Sequence, residues 1–224
     1  MNDLILALDT THAFGSVALL RGAEVLEEML LHAPEGFGRV LFARLSELLD
    51  RHGVTVPDMD CFAAASGPGS FTGVRIGLAC AKGLAEATGK TVCAVSNMAA
   101  LARFGSAGLR AVVLDARRGE VYGAVYDAHG VQVLAESVMP FAAWLRSLPG
   151  GDIEFVSPDF TPFAPALKGS RFEGAPATTA PRALAAAVGR IAWARLQCGK
   201  AEDPAAIDAN YVRRSDAELF WKDP

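Results

Sequence analysis

The stretch Ala65-Ser66-Gly67-Pro68-Gly69-Ser70-Phe71-Thr72-Gly73-Val74-Arg75-Ile76-Gly77 constrains this chain most. An apolar run, Cys61 to Ala65, leads into it and a helical pattern leads out, so it reads as strand, glycine loop and helix. Such a unit holds an anion on the free N–H groups of the helix start, or it lets two backbones approach closely. Spacing removes two nucleotide fingerprints. No Gly-Lys-Ser/Thr follows, and the glycines at 67, 69 and 73 give G-x-G-x-x-x-G, one residue longer than the dinucleotide motif. As an anion site the loop would add the hydroxyls of Ser70 and Thr72. As a packing device, Gly73, Gly77 and Ala81 line one helix ridge, flanked by Cys80 and Leu84, with Arg75, Lys82 and Glu86 opposite.

The surrounding pattern predicts an α/β protein. Leu4–Leu8 reads as a buried strand ending at Asp9-Thr10-Thr11. Ser16–Leu20 and Ala23–Leu31 follow as a meander turned at Arg21-Gly22. Val40, Leu41, Leu45, Leu48 and Leu49 recur at helical spacing, with Gly53 as a stop. The helix after the glycine loop runs to about Thr88, where Gly89 caps it. Thr91–Val95 is a further strand, and Ser96 N-caps a helix to about Phe104. A second strand-rich block begins at Leu109. Leu109–Asp115 and Glu120–Asp127 form a hairpin around Arg117-Arg118-Gly119, then Val131–Ala135, a short helix Phe141–Leu148 and a strand Ile153–Val156. Residues 157–181 read as loop with one helical turn, and Pro181 opens a strong helix, Arg182–Cys198. The same theme thus occurs twice, topologically and without a sequence repeat: two lobes of mixed sheet covered by helices, residues 1–106 and a reduced 107–224.

Chemistry is sparse. Asp9-Thr10-Thr11 at a strand end suits either a metal–phosphate group or a turn whose side chains cap local backbone. His12, His32, His52 and His129 form no helix-borne pair, and His32 with Glu35 is the one pair at ligand-like spacing. No G-x-S-x-G elbow is present. Cys61, Cys80, Cys93 and Cys198 form no C-x-x-C pair, and all four read as buried reduced thiols. Asp115-Ala116-Arg117-Arg118-Gly119-Glu120 reads as a charged hairpin tip, self-paired or facing a ligand or partner. A net charge of −4, with Arg117-Arg118 and Arg213-Arg214 as the longest basic groupings, argues against autonomous nucleic-acid binding. No apolar run approaches the roughly 18–20 residues of a membrane span. Met1-Asn2-Asp3 lacks the basic region of a secretory leader, so the expected setting is cytoplasmic.

Three segments resemble the bacterial TsaB (YeaZ) family, accessory proteins of tRNA threonylcarbamoyladenosine biosynthesis. They are Ile5-Leu6-Ala7-Leu8-Asp9-Thr10-Thr11 with Ser16-Val17-Ala18-Leu19, the stretch Ser66 to Gly83, and Leu114-Asp115-Ala116-Arg117-Arg118-Gly119-Glu120-Val121-Tyr122; Tyr211-Val212-Arg213 is also similar. The resemblance implies the actin/Hsp70-like ATPase (ASKHA) fold with a reduced second lobe, and a non-catalytic role without cofactor or metal. Asp9, Thr10, Gly67 and Gly69 would then be a vestigial nucleotide or phosphate site. The larger paralogue, TsaD, transfers the threonylcarbamoyl group with a metal held by paired histidines, whereas this chain has only His32 in the corresponding region. The sequence departs from its family at His32-Ala33-Pro34-Glu35-Gly36, in place of the usual His-Ser-Glu helix start. The resemblance further implies pairing through the first-lobe helices, with itself when alone or with TsaD. Val40, Leu41, Leu45, Gly73, Gly77 and Ala81 are the expected interface, and Gly77→Leu is expected to block association yet leave a folded monomer. A TsaE-type P-loop ATPase would dock on the assembly, and tRNA would be met only through the complex. The alternatives are a small ATPase of the same fold and, behind it, an M22-like metalloprotease.

Overall fold

A computed structural model of the chain describes residues 2–213. It divides into two compact units, Met1–Ala100 with Pro181–Ala209, and Leu101–Ala180 with the described residues from Asn210 onward.

The first unit is built on a five-stranded mixed sheet. Its strands are β1 (Leu4–Asp9), β2 (Phe14–Arg21), β3 (Glu24–His32), β4 (Cys61–Ala65) and β5 (Thr91–Val95), in the order β3-β2-β1-β4-β5. The meander β1-β2-β3 is antiparallel, while β4 and β5 add to β1 in parallel, as the intervening helices require. β4 and β1 up to Leu8 read as continuous hydrophobic runs because both faces of the sheet are covered. Leu6, Leu8, Val17, Leu19, Phe62 and Ala64 face α1 (Leu41–Arg51) and α2 (Phe71–Thr88). The opposite face, which carries Ala7 and Leu20, receives a helix, Ala185–Gln197, whose Gly189 lies so close that a Cβ there would meet Leu20 Cδ1 at 2.3 Å. This helix belongs to the first unit, where the sequence reading placed it in the second lobe. A short helix, α3 (Asn97–Ala102), follows β5 and is N-capped by Ser96 Oγ, as expected.

The second unit repeats the topology. β6 (Leu109–Arg117), β7 (Glu120–Asp127), β8 (Gln132–Pro140), β9 (Ile153–Ser157) and β10 (Ala177–Thr179) lie in the order β10-β9-β6-β7-β8. The meander is antiparallel, and β9 and β10 are added in parallel. One helix, α4 (Phe141–Ser147), covers a face, seating Trp144 against Gly123 and packing with Phe155, Phe163 and Phe172. The helix Ala185–Gln197, coming last in the chain, is α5.

Candidate functional site

The end of β1, the glycine loop and the start of α3 meet in one buried polar knot. Asp9 Oδ1 accepts the Thr11 N–H at 2.9 Å and the Thr11 hydroxyl at 2.6 Å. Asn97 Nδ2 donates to Thr11 Oγ1 at 2.6 Å, and Asn97 Oδ1 accepts the Gly67 N–H at 2.8 Å. Because the Thr11 hydroxyl proton goes to Asp9, the 2.9 Å contact to His12 Nδ1 requires the histidine to carry the proton there. Asp9 and Thr10 are each 1% exposed, and Asp9 Oδ2 finds no donor among the described residues.

The glycines explain the approach. The Ser70 N–H donates to the Thr11 carbonyl at 2.7 Å, and the Thr10 hydroxyl donates to the Gly73 carbonyl. A Cβ at Gly69 would meet the Thr11 carbonyl oxygen at 2.5 Å, one at Gly73 the Thr10 carbonyl oxygen at 2.0 Å, and one at Gly77 the Thr10 hydroxyl at 2.7 Å. Real Cβ atoms do not approach so near, so the glycines are there to let the loop lie flat on the β1–β2 turn. Of the two readings of the pattern, the geometry realises the packing one. Of the residues expected at a phosphate site, three are used within the chain, the Gly67 N–H on Asn97, the Thr10 hydroxyl on the Gly73 carbonyl and Gly69 against Thr11, while Asp9 is engaged through Oδ1 alone.

The expected interface residues are likewise turned inward. Leu41, Leu45 and Ala81 are buried in the core of the first unit, Gly73 and Gly77 lie buried against Thr10, and Val40 packs at the core's edge. The ridge thus faces its own sheet. What α1 and α2 show outward is different: Phe42 at 63% exposure, Phe71 at 45% with Arg75 Cζ 3.6 Å from its ring centroid, and the small residues Ala79 and Gly83. Phe42 sits beside Leu41 of the core stripe and is hidden by it in the sequence, whereas Phe71 opens α2 between Ser70 and Thr72. Only the helix phase separates Phe42 from Leu41.

The histidine pairing does not form. His32 stacks on Phe14 with ring centroids 4.7 Å apart, while Glu35 accepts Arg39 at 2.6 Å on the surface. Among the described residues no group of three His, Cys, Asp or Glu side chains converges as a metal site. Cys61, Cys80 and Cys93 are buried free thiols, and burial pushes Cys80 up to about 11; Cys198, expected buried, is exposed.

In the second unit the β6–β7 hairpin carries the charged motif. Three successive residues at its tip have left-handed backbone, Arg117 (φ 65°), Arg118 (φ 57°) and Gly119 (φ 77°). Asp115 Oδ1 accepts the Arg117 N–H at 2.8 Å, and its Oδ2 lies 3.4 Å from the Arg117 guanidinium. Arg213 props the base, donating to the Ala116 carbonyl at 2.8 Å and to Glu120, with its guanidinium beside the Tyr122 ring. Its neighbour in the expected basic pair, Arg214, lies outside the described residues.

Two units that each order a three-stranded meander and two parallel strands as 3-2-1-4-5 define the chain as an α/β protein of the actin/Hsp70-like ATPase architecture. The comparisons narrow that class. The family model for TsaD, tRNA N6-adenosine threonylcarbamoyltransferase, matches residues 37–201. The tRNA threonylcarbamoyladenosine biosynthesis protein TsaB of Bacillus subtilis is 35% identical over 149 residues, 64% of this chain and 65% of that protein. Its Escherichia coli counterpart is 37% identical over 133 residues, 57% of each. An uncharacterized protein of Mycobacterium tuberculosis is 30% identical over 222 residues, 96% of this chain and 93% of that one. The solved structure of YeaZ from Pseudomonas aeruginosa superimposes with a TM-score of 0.75 at 26% identity, covering 93% of this chain and 99% of that chain. The chain belongs to the TsaB (YeaZ) family, within the reach of the TsaD family model. The aligned part spans 65% and 57% of the two TsaB relatives' own length.

Proposed function

We propose that this protein takes part in tRNA threonylcarbamoyladenosine biosynthesis as a non-catalytic subunit. It holds a TsaD-type transferase, and the pair presents a surface for a TsaE-type P-loop ATPase. The observation carrying this reading is the packed glycine loop: the Thr11 and Thr10 carbonyls lie where side chains of Gly69 and Gly73 would begin, and the Gly67 N–H and Thr10 hydroxyl are bonded within the chain. A chain of ATPase architecture whose glycine loop is spent on its own packing retains the fold as a scaffold.

The docking surface is the outward side of α1 and α2. Phe42 and Phe71 supply apolar contact, and Ala79 and Gly83 admit a partner helix closely. The same surface pairs two copies when the transferase is absent. The test is co-purification with the paralogue and reconstituted modification of tRNA. Phe42→Glu combined with Ala79→Arg abolishes association and activity while circular dichroism and melting stay as in the parent. Retained association, or micromolar binding of Mg-ATP by the isolated chain in calorimetry, overturns the reading; the latter favours a small ATPase.

A further inference from the structure

The second half of β3 is an edge strand without the usual guards. β3 opens the first sheet, and among the described residues no strand pairs with its outer side. An open row of backbone N–H and C=O groups is a template for another strand, and chains blunt it with proline, lysine or a bulge. Here the register slips once, at Leu26, where Leu19 pairs with Glu27 and Leu20 with Val25. Beyond that bulge the strand runs regularly from Glu27 to His32, with neither proline nor lysine. Its side chains alternate between the two faces. Glu27, Met29 and Leu31 face the α1 side, where Arg51 and His52 hold Glu27 at 2.7 and 2.9 Å. Glu28, Leu30 and His32 face the α5 side, where Glu28 Oε1 accepts the Ala186 N–H and His32 stacks on Phe14. Leu30, between them, is 53% exposed.

We propose that this segment joins two copies of the chain, β3 to β3, in antiparallel register about Leu30. Charge selects both the occupant and the register. A two-fold axis through the sheet keeps each face on its own side and sets the residues before Leu30 opposite those after it in the second copy. Leu30 then meets Leu30, Glu28 meets His32 and His32 meets Glu28, so the edge is its own complement. An axis at Glu28 opposes two carboxylates, and one at Met29 sets Glu27 and Glu28 against leucines. The edge and the outward side of α1 and α2 are separate surfaces of the first unit, so one chain can use both. The inference therefore does not depend on the docking surface proposed above.

The test uses the full chain in analytical sedimentation and in disulfide crosslinking. With the helix surface silenced by Phe42→Glu and Ala79→Arg, the chain still sediments as a concentration-dependent dimer. Adding Leu30→Lys sets two cations opposite each other and raises the dimer dissociation constant about tenfold or more. Leu30→Cys is made in a Cys198→Ser background, which removes the exposed native thiol. It forms a disulfide between copies on mild oxidation with diamide, because directly opposed residues of an antiparallel pair stand within disulfide reach. Glu24→Cys in the same background does not, since it lies beyond the bulge and faces no copy of itself. The crosslink reads the edge whatever the helix surface does, so failure of that surface leaves this test standing. A chain that stays monomeric throughout the micromolar range in the silenced background overturns the proposal. So does a dimer indifferent to Leu30→Lys, or one that crosslinks as well through Glu24→Cys as through Leu30→Cys. Loss of the transferase paralogue on Leu30→Lys overturns it too, and gives the edge to that partner.

Discussion

Gly73 and Gly77 show what one missing carbon decides. Thr10 sits where their side chains would be, so Gly77→Leu, expected from sequence to spare the monomer, instead drives a branched side chain into Thr10 and Leu8. That variant is expected to be insoluble or molten in gel filtration and near-ultraviolet circular dichroism. Gly73→Ala, meeting a backbone carbonyl that cannot swing away, is expected to lose about 3 kcal/mol or more in urea unfolding. Glu154 makes the matching point in the second unit. Burial alone would raise its carboxyl, but donors from Thr178, Ala107 and Ser106 outweigh that and hold it below the ordinary range. A folded value below the unfolded one means its contribution is whole above the ordinary carboxyl range and fades as pH falls through the folded value. Glu154→Gln is therefore expected to flatten the acid side of the melting-temperature profile. Which glycines matter was legible as a spacing, but what they face was not. A helix wheel gives the ridge, and only the neighbouring strand end says whether it meets its own chain or another.

Elements were legible where local chemistry ends them. α2 stops at Thr88 before Gly89, whose left-handed backbone closes the helix, and Ser96 caps α3, both as the sequence predicts. The last helix was misjudged for a reason sequence proximity cannot reveal. Pro181 does not open it; α5 begins at Ala185, because its first N–H groups are satisfied from far along the chain. Ser16 Oγ accepts from Leu184 and Ala185 at 3.0 and 2.8 Å, and Glu28 accepts from Ala186 at 2.8 Å. Ser16→Ala is expected to cost about 1–2 kcal/mol in thermal or urea melts, the range of a lost N-cap, although residue 16 lies in a strand. The strand β10 and the extension of β8 to Pro140 also escaped the pattern. β10 has three residues, too few to show alternation, and β8 lies at the sheet edge, where burial imposes little on its sequence.

At the scale of the whole molecule the doubled topology was legible and the domain boundary was not. The chain leaves the first unit after Ala100 and returns at Pro181 to lay α5 on the first sheet. A fragment ending at residue 106 would expose Ile5, Ala7, Ala18 and Leu20, all fully buried in the complete chain. That fragment is expected to aggregate or bind a hydrophobic dye, and co-expression with residues 181–209 to restore a soluble, cooperatively melting unit. By itself the sequence determined the order of the helices and of every strand but β10, the repetition of the theme, the close-packing role open to the small-residue ridge, and the absence of two nucleotide fingerprints. These follow from periodicity and spacing, which are local. The tertiary structure alone decided that the glycine loop closes on Thr10 and Thr11, that the expected interface is core while Phe42 and Phe71 face outward, and that α5 belongs with β1. Each of these depends on which distant segment fills a given space, and that choice is made by packing of the whole chain.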